Sequence, residues 1–435
     1  MPTEIRYMAI AKRGLVLGAT AVAAAGVIVT GAGLHLSQSK AFFEESPKEV
    51  IDEVWQLIDN TYVDATFNQT DWEAVRTDYL SRDYSSPEAA YDAVREMLEL
   101  LEDPYTRFMD PDEFRNMQID TSGELTGVGI QITQEEETDE IVVVAPIEDT
   151  PAFEAGLRSK DVIVEIDGQS TEGMELNDAV SLIRGPVGSG VTLTVRRDAE
   201  IIDFDLTRAR IEIHPVRYSV NDAPEGPIGY IRLTQFSSNA ASEMKEAIDD
   251  LESQNVVGYV LDLRSNPGGL LYSSIEIARM WIDEGGIVST VNRQGVADEE
   301  IANNRALTDR PLVVLVDGGS ASASEILSGA LQDNGRAQLV GTQTFGKGLV
   351  QSVRSLPDGS GVAITIAKYL TPSGRDINQQ GIEPDIVVEL SEEEQEELSD
   401  NRDRIGTLED PQYRQAQELV LQIVRANQNT AIEPQ

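Results

Sequence analysis

The sequence predicts a multidomain α/β protein, with a helical N-terminal region and a β-rich module ahead of the main core. Three observations predict this fold class. Apolar residues recur at helical spacing between Ser46 and Phe114, five short apolar runs follow within about 85 residues, and strands alternate with helices after Pro215. At 435 residues the chain is also too long for one ordinary core.

Two helices are predicted in the N-terminal region. The first begins at Pro47, and the second has Ser86 as its N-cap with Pro87 in its first turn. The second helix ends at Asp103-Pro104. Three polar residues near this end are expected to serve packing and turns rather than catalysis: Asp103, Tyr105 and Arg107.

The β-rich module is predicted from short apolar runs bounded by turn residues. The runs lie at 127–132, 141–145, 162–166, 191–195 and 202–206. Between them, residues 151–157 predict one short helical turn ended by glycine, and residues 176–183 predict a longer helix.

The core is predicted to be a buried sheet with helices on it, because its strands are uniformly apolar and helices separate most of them. Strands are expected at 228–233, 257–263, 287–291 and 312–316, and helices at 239–253 and 270–281. Ligand chemistry in such sheets lies beyond the carboxyl ends of the strands. Two motifs fall there, the turn 266–269 (Asn-Pro-Gly-Gly) and the serine cluster 320–324.

The charge balance excludes some classes of function. The formal net charge of −42, from 76 acidic and 34 basic residues, argues against a nucleic-acid partner, which needs clustered Lys and Arg. No acidic block has the arrangement of a metal site, so no metal or other cofactor is expected. The chain has no cysteine, which excludes thiol chemistry.

The N-terminus predicts export. Arg6, Lys12 and Arg13 precede an uncharged run at 14–34 that is long enough to span a bilayer. Positive charge before the run predicts that the rest of the chain crosses the membrane. A small-x-small pattern at 39–41 allows cleavage, so residues 1–41 are either a signal peptide or a membrane anchor.

The serine cluster and one lysine offer the chemistry of a serine nucleophile. The two histidines, His35 and His214, have no catalytic context, whereas a serine activated by a neutral lysine needs only residue types found here. Sequence alone does not separate the serines at 320, 322 and 324. Ser322 and Glu325 also form a capping-box pattern, and a serine at a strand-to-helix turn is expected to be exposed at the sheet edge.

The lysine is Lys347, in the glycine-bracketed loop 341–348. This loop nearly matches a phosphate-binding loop, but Gly348 replaces the required Ser or Thr and a strand follows instead of a helix. A nucleotide site is therefore disfavoured. An exposed loop lysine is the simpler alternative, since a lysine base must be buried, for example near Phe345 or Val350, to be neutral.

These motifs together resemble the carboxyl-terminal processing proteases of peptidase family S41, which carry a PDZ domain. The resemblance covers about residues 46 to 390. It depends on the PDZ-like order of motifs from Gly127 to Gly168, on LDLRSNPGG at 261–269, on SASASEI at 320–326 and on TFGKGLVQ at 344–351. Ser265 stands where asparagine is common, a departure that should not disturb a backbone donor.

The resemblance implies a crotonase/ClpP-like layered α/β protease core and a role for each site residue. Ser322 is implied to be the nucleophile, Lys347 the general base and Gln351 the residue that orients the lysine. The implied oxyanion donors are the N–H groups of Gly268 and Ala323. The implied binding loop for the substrate's carboxyl end is Gly127, Val128, Gly129 and Ile130. The domains are expected at 42–115 (helical), 116–208 (PDZ) and 209–390 (protease core), followed by an acidic tail at 391–435.

The implied function is an exported serine endopeptidase that cleaves proteins near their C-termini in a periplasm or thylakoid lumen. Its partners are expected to be protein tails and, if the N-terminus is uncleaved, the membrane; the family also allows a homodimer. The rival is a PDZ adaptor with an inactive core, which intact Ser322, Lys347 and Gln351 argue against. A penicillin-recognising enzyme is disfavoured because Ser-x-x-Lys is absent around Ser322.

Overall fold

The structure is a computed structural model that describes residues 26–28, 47–135, 138–147, 150–295 and 297–432. Of the apolar run at 14–34 it describes only Gly26–Ile28, a short strand. The rest of the predicted signal peptide or anchor, including 39–41, lies outside the described residues. No helix in the described ranges is both long and apolar enough to cross a membrane.

The described residues form the following helices and strands. The helices are α1 (Pro47–Thr61), α2 (Trp72–Ser81), α3 (Pro87–Glu99), α4 (Pro111–Ser122), α5 (Pro151–Ala155), α6 (Leu176–Ile183), α7 (Ala240–Ser253), α8 (Leu271–Trp281), α9 (Ala323–Asp333), α10 (Glu392–Asp400) and α11 (Pro411–Ile432). The strands are β1 (Gly26–Ile28), β2 (Arg107–Met109), β3 (Glu124–Gly127), β4 (Ile130–Gln134), β5 (Ile141–Pro146), β6 (Val162–Ile166), β7 (Gln169–Ser170), β8 (Gly190–Arg197), β9 (Glu200–Thr207), β10 (Ala209–Glu212), β11 (Val216–Asn221), β12 (Ile228–Leu233), β13 (Gly258–Asp262), β14 (Gly286–Asn292), β15 (Ala297–Ile301), β16 (Leu312–Val316), β17 (Gln338–Gly341), β18 (Leu349–Ser355), β19 (Gly361–Leu370) and β20 (Ile386–Val387).

Residues 124–212 form one compact unit, here called the β unit. Its five predicted strands are confirmed as an antiparallel sheet in the order β4-β5-β6-β8-β9, with β7 paired to β6. Apolar side chains from alternate strand positions and from α5 and α6 fill its core. Gly156, at φ 86°, ends α5 as predicted, since glycine adopts this left-handed conformation at little cost.

The remaining described residues form the second unit, here called the core unit. Its central sheet has the order β11-β12-β13-β16-β17-β20, and all its neighbouring pairs are parallel except β11 with β12. β13 and β16 are buried throughout, which explains their unbroken apolar sequences. Helices α7, α8 and α9 pack on one face and α11 on the other, so the predicted layered α/β core is confirmed.

A second sheet in the core unit has the order β1-β18-β19-β14-β15, with β2 paired to β19. The N-terminal helices pack on it: α1, α2 and α3 share a cluster with Leu356, Val362 and Ile364. Ser86 caps α3 as predicted, accepting the N–H of Ala89 at 3.3 Å. The helical region is therefore part of the core unit.

The acidic tail predicted at 391–435 is wrong for α11. Tyr413, Ala416 and Val420 have no exposed surface and pack on strands β12, β13 and β16. Their spacing of three and four residues is an apolar helical stripe among polar neighbours. α10, in contrast, is acidic and mostly exposed, as the sequence suggests.

Candidate active site

Ser322 lies at the turn between β16 and α9 in a strained backbone conformation. Its φ is 54° and its ψ is −110°, which few non-glycine residues adopt. Such strain at a strand-to-helix turn is typical of hydrolase nucleophiles. The expected exposure is wrong: Ser322 has no exposed surface, and its side chain hydrogen-bonds to the buried hydroxyl of Tyr369.

The three serines of the cluster have different surroundings. Ser320 donates its hydroxyl to the carbonyl of Leu263 (2.8 Å), and Ser324 donates to the carbonyl of Asn266 (2.9 Å). Both flanking serines therefore bond to backbone carbonyls, that of Ser324 within the turn 266–269 and that of Ser320 just before it, whereas the Ser322 hydroxyl bonds to the side chain of Tyr369. The geometry favours Ser322 over its neighbours as a reactive group.

The Asn-Pro-Gly-Gly turn brings Gly268 against this serine. A Cβ atom on Gly268 would lie 3.0 Å from the Ala323 nitrogen and 3.0 Å from the Ser322 Cβ, so only glycine fits here. Gly268 also has φ 102°, which favours glycine. Its N–H is not directed at an empty site, since it donates to the side-chain oxygen of Asn266 at 2.9 Å.

Lys347 is buried, with 3 % of its surface exposed. Its Nζ lies 4.5 Å from the centre of the Tyr105 ring, and this Nζ has no hydrogen-bond or ion-pair partner among the described residues. Burial lowers the pKa of Lys347 to about 8, helped by the positive charge of Arg107 and opposed by the carboxylates of Asp103 and Glu325. The lysine is therefore not the exposed loop residue of the simpler alternative.

Glu325 connects the serine turn to the lysine loop. Its Oε2 accepts the N–H of Ser322 (2.9 Å) and the N–H of Lys347 (2.9 Å). Its Oε1 accepts the N–H of Gly346 (2.7 Å) and the hydroxyl of Thr344 (2.5 Å). The contact to Ser322 is the return bond expected of a capping box, and the three others come from a distant loop.

Tyr369, on β19, is a second link between the same two segments. Its hydroxyl donates to the carbonyl of Lys347 and interacts with the side chain of Ser322. Burial raises the pKa of Tyr369 well above its usual value, so the phenol stays protonated and can keep this hydrogen bond.

Gln351 lies on β18 opposite Thr365 and is fully buried. Its Nε2 is 3.4 Å from the Thr365 hydroxyl, and its Oε1 has no hydrogen-bond partner in the described part of the chain. A buried amide oxygen without a hydrogen-bond partner destabilises the fold, and such oxygens often belong to residues with a functional role. The predicted contact between Gln351 and Lys347 is absent from this arrangement, and the role of Gln351 stays a prediction.

Sequence reasoning missed the residues that surround Lys347. Asp103 does form a turn, accepting the Tyr105 N–H (3.0 Å) and the Thr106 hydroxyl (2.7 Å), but the same loop supplies the ring and charges that act on Lys347. Glu325 and Tyr369 were missed as well. Only the capping-box pattern of Glu325 gave any local signal, because the other contacts join segments far apart in the sequence.

The predicted peptide-binding residues lie in the β unit. Val128 is buried in its core, and Gly129 has φ 82° with Thr150 so close that a Cβ atom would lie 2.3 Å from its side chain. Ile130 begins β4, which ends the described sheet path and pairs on one side with β5. An edge strand that follows a glycine turn can add an extended peptide as a further strand.

Comparison with known proteins agrees with this architecture. The description "Peptidase family S41" matches residues 227–388, "PDZ domain" matches residues 142–197, and "Tricorn protease C1 domain" matches residues 43–98. The PDZ match lies within the β unit, and the S41 match contains the serine turn and the lysine loop.

Curated and solved relatives cover most of the chain. A carboxyl-terminal-processing protease of Synechocystis sp. is 47 % identical over 83 % of this chain and 86 % of its own. The chloroplastic carboxyl-terminal-processing peptidase 3 of Arabidopsis thaliana is 42 % identical over 77 % of this chain and 67 % of its own. A solved photosystem II D1 C-terminal processing protease is 38 % identical, with a TM-score of 0.55 over 79 % of this chain and 94 % of its own. The chain therefore belongs to the carboxyl-terminal-processing proteases of peptidase family S41 and is a serine-type peptidase with a PDZ domain.

Proposed function

We propose that this peptidase is an exported endopeptidase that cleaves proteins near their C-termini by a Ser/Lys mechanism. Ser322 attacks the peptide carbonyl, while Lys347 takes the hydroxyl proton and passes it to the leaving amine. Water then hydrolyses the acyl-enzyme with Lys347 as base again. The observation that carries this proposal is the Glu325 carboxylate, one oxygen of which holds the N–H groups of both Ser322 and Lys347.

The proton transfer requires the Ser322 hydroxyl to turn from Tyr369 towards the Lys347 Nζ. Catalytic hydrogen bonds are often long or absent before substrate binds, so their absence here is compatible with the mechanism. The unpartnered Oε1 of Gln351 supports its proposed role, because it can accept a hydrogen bond from the lysine and orient the lone pair.

The developing oxyanion is proposed to bind the N–H groups of Ala323 and Gly268. Ala323 is the first residue of α9, where the helix dipole favours negative charge. Gly268 must exchange its bond to Asn266 for the substrate oxygen, and the oxyanion is the better acceptor because it is charged.

The PDZ domain is proposed to hold the substrate's carboxyl end through Gly127, Val128, Gly129 and Ile130, with the peptide added beside β4. We assign this role to the β unit, residues 124–212, which begins and ends later than the predicted 116–208, and proteolysis to 213–390 with the helices that pack on them. The name of the solved relative assigns the D1 protein of photosystem II to that enzyme. For this chain we propose the broader class of proteins with accessible C-terminal tails.

The proposed location is a periplasm or a thylakoid lumen. The basic N-terminus before the run at 14–34 supports export, and the name of the Arabidopsis relative assigns that protein to the chloroplast. N-terminal sequencing of the mature protein tests this proposal. A new N-terminus close to residue 42 indicates a cleaved signal peptide, whereas an intact N-terminus in the membrane fraction indicates an anchor.

The catalytic proposal is tested with an unstructured protein that ends in apolar residues. The wild type is expected to cleave it, and Ser322→Ala and Lys347→Arg are expected to be inactive, since guanidinium does not deprotonate. Ser328→Ala, which removes another buried hydroxyl of α9, is the matched control and should stay active. Binding without cleavage by the wild type would instead support the adaptor, and an active Ser322→Ala would assign the chemistry to another residue.

A further inference from the structure

A buried charge cluster lies directly before the Asn-Pro-Gly-Gly turn. Arg264 lies two residues ahead of Asn266, the first residue of the turn, and 8 % of its side chain is exposed. Its Nε and Nη2 donate to the two carboxylate oxygens of Asp262 at 2.9 and 2.6 Å. Asp262 ends β13, so this pair joins the strand to the start of the turn.

The other side of the guanidinium is held from the C-terminal segment. Nη1 and Nη2 donate to Asp410 at 3.1 and 2.7 Å, and Nη1 also donates to Gln412 Oε1 at 2.9 Å. Asp410 stands directly before α11 and accepts the N–H groups of Gln412 (3.1 Å) and Tyr413 (3.2 Å). One carboxylate therefore both caps the C-terminal helix and holds Arg264.

Such a cluster is a poor way to stabilise a fold. Both carboxylates are fully buried, and the loss of hydration usually offsets the attraction between buried charges, so apolar side chains would stabilise as well or better. α11 also has its own apolar anchor in Tyr413, Ala416 and Val420. The fixed geometry of a guanidinium between two carboxylates serves orientation instead.

The turn that follows Arg264, residues 265–269, has a backbone conformation that must be fixed by its surroundings. The positive φ values of Ser265 (56°), Gly268 (102°) and Gly269 (144°) are uncommon backbone conformations. Contacts from outside the turn are therefore needed to maintain them. Gly268 lies four residues beyond Arg264 and packs so closely on the serine turn that a Cβ atom on it would lie 3.0 Å from the Ala323 nitrogen. A small displacement at Arg264 therefore shifts one of the two proposed oxyanion donors.

We propose that Asp410 is a positioning residue for catalysis: through Arg264, the C-terminal helix sets the backbone of the turn 265–269 that carries Gly268. The inference rests on the proposed oxyanion role of Gly268. If Asp410 has this role, the chemical step depends on the C-terminal segment of the enzyme, whereas the binding of substrate C-termini does not.

The test uses Asp410→Asn in the full-length chain. Asparagine caps helices as well as aspartate does, so α11 keeps its start, but an amide cannot accept both guanidinium bonds. We expect kcat on a fluorogenic peptide to fall about 10- to 100-fold with KM changed less than about threefold, which is less than the loss of about 100- to 1,000-fold on removal of an oxyanion donor, because the Gly268 N–H is displaced and not removed. The rate at which a phosphonate probe labels Ser322 should fall in parallel.

Val420→Ala is the matched control, because it opens a cavity under the same helix beside Gly258, at the opposite end of β13 from Arg264. It should lower the melting temperature at least as much as Asp410→Asn and leave kcat at 25 °C within twofold of wild type. Arg264→Gln combined with Asp410→Asn should be no slower than Arg264→Gln alone, because the two residues act as a unit.

Wild-type kcat in Asp410→Asn overturns the inference, and so does a kcat that follows melting temperature across all variants, including Val420→Ala. If Asp410→Asn does not fold, Gln412→Met removes another acceptor of the same guanidinium and is expected to lower kcat about threefold to tenfold. Its wild-type kcat would equally overturn the inference. Ser322→Ala separates the two levels: a dead Ser322→Ala with a normal Asp410→Asn rejects only the role of Asp410, whereas an active Ser322→Ala rejects the proposed mechanism.

Discussion

A lysine works as a base only after it loses its proton, and burial lowers the pKa of Lys347 to about 8. The deprotonated fraction grows as pH rises, so kcat/KM is expected to increase between pH 6 and 9 with a midpoint of about 8. Arg107→Gln removes a positive charge that disfavours the ammonium form and should move the midpoint to higher pH. Arg107→Lys keeps the charge and is the control, which should leave the midpoint unchanged. If the midpoint is also unchanged in Arg107→Gln, Lys347 is not the titrating base.

The same burial has a cost in stability. A pKa lowered from 10.5 to about 8 corresponds to about 3 kcal/mol, because the folded protein must bury an ammonium that the unfolded chain hydrates. This cost is complete below pH 8 and disappears as pH rises towards 10.5. Lys347→Met should therefore raise the free energy of unfolding by about 1–3 kcal/mol at pH 7.

Urea denaturation at several pH values checks this prediction. The advantage of Lys347→Met should be constant below pH 8 and shrink between pH 8 and 10. The exposed Lys245→Met serves as control and should change stability little at any pH. Equal stability of Lys347→Met and wild type at pH 7 would mean that the lysine pays no penalty for burial.

The sequence predicted the chemical type of the site residues but not their surroundings. Residue types alone indicated a Ser/Lys site, but the choice among the serines at 320, 322 and 324 needed the family resemblance. The structure adds a physical distinction, since Ser322 has a positive φ while Ser320 and Ser324 donate to backbone carbonyls. Burial of Lys347 could not be predicted, because the Tyr105 ring comes from the far N-terminal region of the chain.

At the scale of elements, α9 and the loop ahead of β18 are held together by Glu325. Glu325→Gln turns one acceptor oxygen into an NH2 donor that faces at least one backbone N–H group, so at least one of the four hydrogen bonds is lost. We expect kcat to fall at least about 100-fold and stability to fall by about 2–4 kcal/mol.

Peptide kinetics and thermal unfolding measure the two effects. Glu276→Gln, a half-exposed carboxylate on α8 that pairs with Arg279, is the control and should change stability by less than about 0.5 kcal/mol. A Glu325→Gln variant with kcat within fivefold of wild type would show that the serine turn and lysine loop keep their geometry without this carboxylate.

Elements were predictable where one local pattern decided them. β16 matches its predicted bounds, and β13 and α8 differ by one residue at their ends, because uninterrupted apolar runs and turn residues mark them. α11 was not predictable as a core element, since polar residues interrupt its apolar stripe and the charge-rich start of the segment suggested a tail. The contact of its cap residue, Asp410, with Arg264 could not be predicted either, because the two residues lie far apart in the sequence.

At the scale of the whole molecule, the PDZ-containing β unit is an insertion whose two ends meet. Glu124 and Glu212 are paired at the ends of β3 and β10, and the flanking Ile213 N–H donates to the Gly123 carbonyl at 2.9 Å. The β unit has its own apolar core. Each unit thus has what a domain needs to fold by itself, and a short join between residues 123 and 213 needs no rearrangement of the ends.

Replacing residues 124–212 by two glycines is therefore expected to leave a folded protein that unfolds cooperatively, with a melting temperature within about 5 °C of wild type. Cleavage of a short peptide should persist, because Ser322, Lys347 and Gly268 all lie in the core unit. Preference for a protein substrate with a free C-terminal carboxylate over its amidated form should disappear, since the loop that we propose to bind the carboxylate is gone. Paired kcat/KM measurements on the two substrates check this. A deletion variant that keeps the preference would assign carboxylate recognition to the core unit, and one that does not fold would show that the core unit depends on the insertion.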